Sequence, residues 1–286
     1  MDLFQAGALG FIQGATEFLP VSSSGHLVLM GQLLGVTPES NLTFGIFLHL
    51  ATALAVILYF WKRFGGLVRV FFANPLRKLR RAEIPDGDRR LGRLLIGIII
   101  GTLPAVAIGL LLKDKIDAAF QSPELASWML FVTAAILFSL KLFRRKDGTT
   151  KSSEEPSAEI SPAPVWWKAL LIGLAQGLAI LPGISRSGST IAAGIHLKED
   201  QKQVAEFSFL LSLPAILGAN LLEIGDVISS GDWLPWPVYL VGGLVAFGTA
   251  FAAIKIVMKT VSSGRFWFFG IWCVIAGVAG LLLTGG

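Results

Sequence analysis

Gln13-Gly14-Ala15-Thr16-Glu17-Phe18-Leu19-Pro20-Val21-Ser22-Ser23-Ser24-Gly25-His26 interrupts an apolar run from Leu3 to Leu34. A second apolar run, Val165–Leu197, is broken by Pro182-Gly183-Ile184-Ser185-Arg186-Ser187-Gly188-Ser189-Thr190. A Pro followed by a Ser/Gly cluster frees backbone N–H and C=O groups, and lipid cannot satisfy them. Such a break must be buried in protein or line a wet cavity. Two helical arms around a central loop therefore read as a re-entrant hairpin. The plainer alternative is a pair of ordinary spans with the loop at the surface.

Working outward, the two stretches repeat one another. Gln13-Gly14, Ser22, Ser24 and Gly25 recur 163 residues later as Gln176-Gly177, Ser185, Ser187 and Gly188. The same offset carries Phe44, Leu48, Leu50 and Leu54 onto Phe207, Leu211, Leu213 and Leu217. The chain reads as a duplication.

The solvent for this surface is lipid. Of 286 residues, 53% are hydrophobic and 15% charged, where a soluble domain carries about 25% charged. Six stretches are long and apolar enough to cross roughly 30 Å of hydrocarbon: 44–61, 94–112, 125–143, 205–222, 236–258 and 266–284. Trp61, Trp128, Trp236 and Trp267 fall near their ends, where amphipathic rings prefer the interface. Met1-Asp2-Leu3-Phe4 carries no basic n-region, so it is taken as mature protein. The lone Cys273 has no intramolecular partner for a disulfide. The net charge of +5 comes from basic clusters between apolar runs, the mark of cytoplasmic loops, and does not point to nucleic acid.

The expected fold class is all-α integral membrane, with inverted-topology repeats, six transmembrane helices and two re-entrant helical hairpins. It forms a single membrane domain of two repeats, about 1–143 and 165–286, joined by a polar cytoplasmic linker at 144–164. Three full spans per half are odd in number, so the second half enters from the opposite side. Loop charge agrees: Lys62–Arg93 and Arg144-Arg145-Lys146 are basic, whereas Glu223–Pro235 holds Glu223, Asp226 and Asp232 but no Lys or Arg. Both termini are then outside, with the first hairpin entering from outside and the second from the cytoplasm. Inverted repeats with broken helices place a binding site near the midplane.

The chemistry-bearing residues cluster at the two breaks. Glu17 sits in an apolar arm, where a carboxylate faces a cavity or a partner; the alternative is solvation near the interface. Gln13 lies one turn earlier on the same face, and the two oxygens suit a divalent cation, Mg²⁺ or Ca²⁺. Ser22, Ser23 and Ser24 supply hydroxyls, and His26 is close enough to serve as a base for a serine nucleophile. A Ser-rich turn on its own is more often a helix cap. Arg186, at the place of Ser23 in the second loop, needs an anionic partner at membrane depth. Its planar fork suits phosphate, although a ligand-free Arg186–Glu17 pair is the alternative. Gly183, Ser185, Ser187 and Thr190 complete an anion nest. His49 reads as a hydrogen-bonded core residue and His196 as solvated surface.

At these two loops the sequence resembles the undecaprenyl-diphosphate phosphatase family, also known as bacitracin resistance proteins. The resemblance covers essentially the whole chain. It implies removal of the terminal phosphate from a C55 isoprenoid diphosphate in a bacterial inner membrane, a divalent-cation requirement, action at the outer face and bacitracin resistance. It leaves a homodimer open. In the family a Glu or Gln precedes the motif's second Glu by four residues. Gln13 stands there, so Glu17 is the only carboxylate of the motif in this chain. The expected catalytic set is Glu17, Ser23, His26 and Arg186, with Ser23 or an activated water as nucleophile. Gln13, Ser22, Ser24, Gly183, Ser185, Ser187 and Thr190 bind substrate, and Glu17 and Gln13 hold metal. The competing class is a lipid flippase or transporter, since this architecture also serves transport.

Overall fold

The computed structural model describes residues 1–36, 38–79, 84–142, 164–230 and 233–284. Among them every regular element is helical. The first half contains α1 (Leu3–Phe18), α2 (Ser23–Leu33), α3 (Pro38–Tyr59), α4 (Trp61–Leu79), α5 (Asp86–Leu111), α6 (Lys113–Phe120) and α7 (Pro123–Leu142). The second contains α8 (Trp166–Leu178), α9 (Arg186–His196), α10 (Gln201–Ser230), α11 (Trp236–Ser262) and α12 (Phe269–Thr284), the last preceded by a 3₁₀ turn at Phe266–Phe268.

Five stretches are long and apolar enough to cross a bilayer: α5, most of α7, α10 through Glu223, α11, and Phe266–Thr284. The sixth expected span is α3, but it stops at Tyr59 and the chain turns by 91° into α4. The sequence reading expects a loop from Lys62; the structure instead continues as an amphipathic helix. Leu67 and Val70 are buried, Arg69 pairs with Asp88 of α5, and Arg63 bonds Glu206 of α10 at 2.8 Å. Trp61, Val68, Phe71 and Phe72 stay exposed, as suits a helix lying along an interface. Two other expected loops are also largely helical, since α6 occupies the turn after α5 and α10 runs on to Ser230. Water tolerates these extensions, so hydropathy alone did not reveal them. Arg80, Arg81, Arg144-Arg145-Lys146, Asp232, residues 147–163 and the side chain of Asp226 lie outside the described residues.

The four arms at the broken stretches are short. At 1.5 Å per residue, α1 (16 residues) reaches about 24 Å, and α2 (11 residues) and α9 (11 residues) about 16 Å. α8 (13 residues) reaches about 20 Å by the same rise, so none matches a bilayer core of about 30 Å.

Each half grips the arm of the other. α1 packs on α11, and α8 packs on α5. Both seams need glycine. A Cβ on Gly10 would stand 2.4 Å from the Gly242 carbonyl oxygen, and one on Gly173 would stand 2.2 Å from that of Gly101. Gly173 lies 163 residues after Gly10, the offset of the two loops, so the matching positions make matching contacts. Close backbone approach through small residues is the usual way for helices to associate without a hydrophobic driving force. The remaining long helices also pair across halves, α3 with α10 and α7 with α12. The crossed grip holds the two loops against each other.

Candidate active site

The first loop follows from local chemistry. Leu19 precedes Pro20 and is forced out of the helical region, which ends α1 at Phe18. Ser22 then adopts φ +67° and caps α2, its Oγ accepting from Gly25 N–H at 3.3 Å. In the second loop Gly183 takes φ +93°, and Ser185 caps α9 by accepting from Gly188 N–H at 3.1 Å. Thr133 of α7 staples this loop: its hydroxyl donates to Gly183 O at 2.8 Å and accepts from Ser185 N–H at 2.9 Å.

The loops touch. A Cβ on Gly25 would lie 2.9 Å from the Gly183 Cα, and one on Gly188 would lie 3.2 Å from the Pro20 Cβ. Ser187 donates to Leu19 O at 3.1 Å, tying the second loop to the first. This contact delivers Arg186 to Glu17.

Glu17 Oε1 accepts from Arg186 Nη2. Its Oε2 accepts from Ser23 Oγ at 2.6 Å and from Gln13 Nε2 at 2.9 Å. His49 Nδ1 is 3.6 Å from the same Oε2. The carboxylate, the guanidinium, a serine hydroxyl and an imidazole thus form one cluster, with the carboxylate buried and the guanidinium partly so. Burying an ion pair costs several kcal/mol per ion in desolvation, offset only when further hydrogen bonds complete it. Here it is incomplete: Arg186 Nη1 and Gln13 Oε1 are buried with no partner. Unlike the other unpartnered buried atoms, these two belong to the charged cluster, where a ligand oxygen could meet the donor and a cation the acceptor.

The other expected residues divide in two. Ser22 and Ser185 serve as caps, each with a second serine hydroxyl, Ser24 or Ser187, at 3.3 Å. Thr190 turns away to Ser208 of α10 at 2.6 Å. These hydroxyls shape the loops around the charged pair. His26 sits apart from the cluster: its Nδ1 lies 2.8 Å from Ser22 O, and its Nε2 accepts from Trp272 Nε1–H at 3.0 Å. Both ring nitrogens are engaged, and neither partner is Ser23 or Glu17. The carbonyl can only accept, so His26 carries its proton on Nδ1. His196 bonds Ser139 at 2.8 Å, away from the cluster.

His49, Thr133, Ser208 and Trp272 belong to the site or its supports, although none stood out in the sequence as a site residue. A signal existed for His49. It is polar within a span, and its repeat partner, at the offset of the loops, is Ser212. Among the described residues no three His, Cys, Asp or Glu side chains gather as a metal site.

Such an arrangement defines a class: a helical membrane protein with a guanidinium paired to a buried carboxylate, a serine at hydrogen-bonding distance and an unfilled guanidinium donor. The family model of the bacitracin resistance protein BacA matches residues 6–279, and the chain belongs to that family. It is 40% identical to the undecaprenyl-diphosphatase of Desulfatibacillum aliphaticivorans, over 99% of both chains. It is 41% identical to that of Desulfosudis oleivorans, over 97% of both. The enzyme of the same name from Bacteroides fragilis is 35% identical over 99% of both.

Proposed function

We propose that this protein is a membrane-embedded undecaprenyl-diphosphate phosphatase, converting the diphosphate lipid to undecaprenyl phosphate and inorganic phosphate. The observation that carries this reading is Arg186. One guanidinium nitrogen holds Glu17 while the other is buried and unpaired, which leaves a preset donor for a phosphate oxygen. Recycling of the carrier lipid for cell-wall synthesis, and with it bacitracin resistance, follows from that activity.

Arg186 holds the terminal phosphate, and Ser23 stands at the reacting phosphorus. Glu17 Oε2 already accepts a hydrogen bond from Ser23 Oγ at 2.6 Å. On the serine route the Ser23 oxygen attacks phosphorus, its proton passes to Glu17, and the bond to the bridging oxygen breaks. Undecaprenyl phosphate leaves, and water then hydrolyses the phosphoserine. On the water route the same carboxylate activates water for direct attack. Most of the acceleration in phosphoryl transfer comes from positioning and charge stabilisation, and Arg186 supplies both. Glu17 and the orphaned Gln13 oxygen would hold a divalent cation, which would neutralise phosphate charge when bound. The prenyl tail lies in lipid, each buried CH₂ contributing about 0.8 kcal/mol.

Two inverted repeats with re-entrant hairpins account for the crossed packing of the arms, and loop charge puts both termini outside. The site then opens to the outer face of a bacterial inner membrane. A homodimer is compatible with this arrangement.

The test is phosphate release from undecaprenyl diphosphate by purified protein in detergent, without any gradient. Release is expected, and lipid movement without release would favour a flippase instead. Ser23→Ala separates the two routes: the serine route loses turnover entirely, whereas the water route retains a measurable fraction.

A further inference from the structure

The repeat supplies a control for each residue of the cluster. Gln13 and Gln176 are repeat partners, both buried on the first arm of a hairpin. Gln176 has neither amide atom in a hydrogen bond. Gln13 has its nitrogen held twice, by Glu17 Oε2 and by His49 Nδ1, each at 2.9 Å. The position that matches His49 in the second half is Ser212, whose hydroxyl turns back to Phe209 O at 2.7 Å. The second half has Ile180 in place of Glu17. One glutamine is therefore oriented and its copy is not.

Hydrogen-bond chemistry fixes the assignment. An ionised carboxylate oxygen only accepts, so the amide must present its NH₂ to Glu17. That NH₂ has two hydrogens. One goes to Glu17, and the other meets His49 Nδ1, which must then be the unprotonated nitrogen. The ring carries its hydrogen on Nε2, which has no partner among the described residues. The His49 side chain is 33% exposed against 3% for Glu17, so it forms the open wall of the cluster. With the NH₂ committed, the Gln13 carbonyl oxygen is the atom left over, buried and unbonded.

We infer that His49 is a positioning residue for the phosphatase reaction: by accepting from Gln13 it locks the amide so that the carbonyl oxygen is presented to the diphosphate–cation assembly. This rests on the activity proposed above. The amide of Gln13, tethered at both hydrogens, cannot rotate its NH₂ into the place of its oxygen. Without His49 the amide has one fixed hydrogen bond and turns freely about it, as nothing holds Gln176.

The experiment is a double-mutant cycle on the full-length protein in detergent with undecaprenyl diphosphate, reading kcat and KM separately. His49→Ala should cut kcat about tenfold, with KM changed less than about threefold, since orientation at the reacting centre is lost. Gln13→Ala should cost at least as much, and the double variant should be no worse than Gln13→Ala alone to within about twofold, because both act through one bond. His49→Asn, whose Oδ1 stands where Nδ1 accepts, should restore most of kcat. Multiplying effects in the double variant, or an Asn variant no better than Ala, would overturn the inference. A melting temperature near that of the parent guards against unfolding, and the Asn variant decides the matter if His49→Ala does not fold. Absence of phosphate release by the parent protein takes down both readings together, whereas multiplying effects remove His49 alone.

Discussion

The first loop and the second are copies that have divided their labour. Both open with a proline, cap the following helix with serine and place a hydroxyl two residues on at 3.3 Å. They differ where the charge lies. The first carries Glu17 and Ser23; the second has Ile180 and Arg186 at the matching places. A symmetric pair of loops would set like groups against each other, whereas this divergence sets a cation against an anion. The matching residues lie in the frame of the two loops, and the differing ones carry the charge.

The largest expected effect comes from removing the second loop's only contribution of charge. Arg186→Ala should lower phosphate release by at least about a thousandfold, the scale of arginine stabilisation in phosphoryl transfer. The melting temperature should stay close to that of the parent, because the Glu17 left behind can be protonated. Near-normal turnover would make the pair purely structural. Next, Glu17→Gln removes the first loop's charge while keeping its shape. Turnover should fall by about a hundredfold to ten-thousandfold, the worth of a positioned base, and the cation dependence of the remainder should change. An unchanged rate with an unchanged cation dependence would place the chemistry elsewhere.

Two smaller effects sharpen the backbone side of the same comparison. Gly183 and Ser22 both have positive φ, but only Ser22 has room for a side chain. A Cβ on Gly183 would meet the Ala126 carbonyl oxygen at 2.2 Å, so Gly183→Ala should destabilise by more than about 2 kcal/mol through strain and overpacking. A lowered melting temperature in detergent checks this. Ser22→Gly relieves a strained conformation but loses a cap worth a few tenths of a kcal/mol relative to glycine, so its melting temperature should barely move. A large drop for Ser22→Gly would mean that its hydroxyl does more than cap.

Much of this was legible beforehand because it is periodic or local. The offset of 163 residues exposed the repeat, hydropathy marked the long helices, and Gln13 and Glu17, four apart on a helix, had to share a face. The interfacial helix α4 was missed because its alternation of Arg with Leu, Val and Phe lowers average hydropathy without breaking the helix. The surroundings of His26 and His49 were not legible for a different reason. Nearness to Ser23 in the chain made His26 the expected base, yet Trp272, 246 residues away, holds its ring. His49 reaches Gln13 across 36 residues of chain.

By itself the sequence determined that the chain is helical and membrane-embedded, that one motif recurs at an offset of 163 residues, and that acid, serines and arginine sit at two helix breaks. Only the tertiary structure decided that Arg186 meets Glu17 across 169 residues and which imidazole stands beside them. The reason is physical. Helix breaks and apolar periodicity arise from forces between near neighbours along the chain. The pairing of side chains from different helices depends on how closely their backbones approach, and the glycine seams of α1 with α11 and α8 with α5 set that approach.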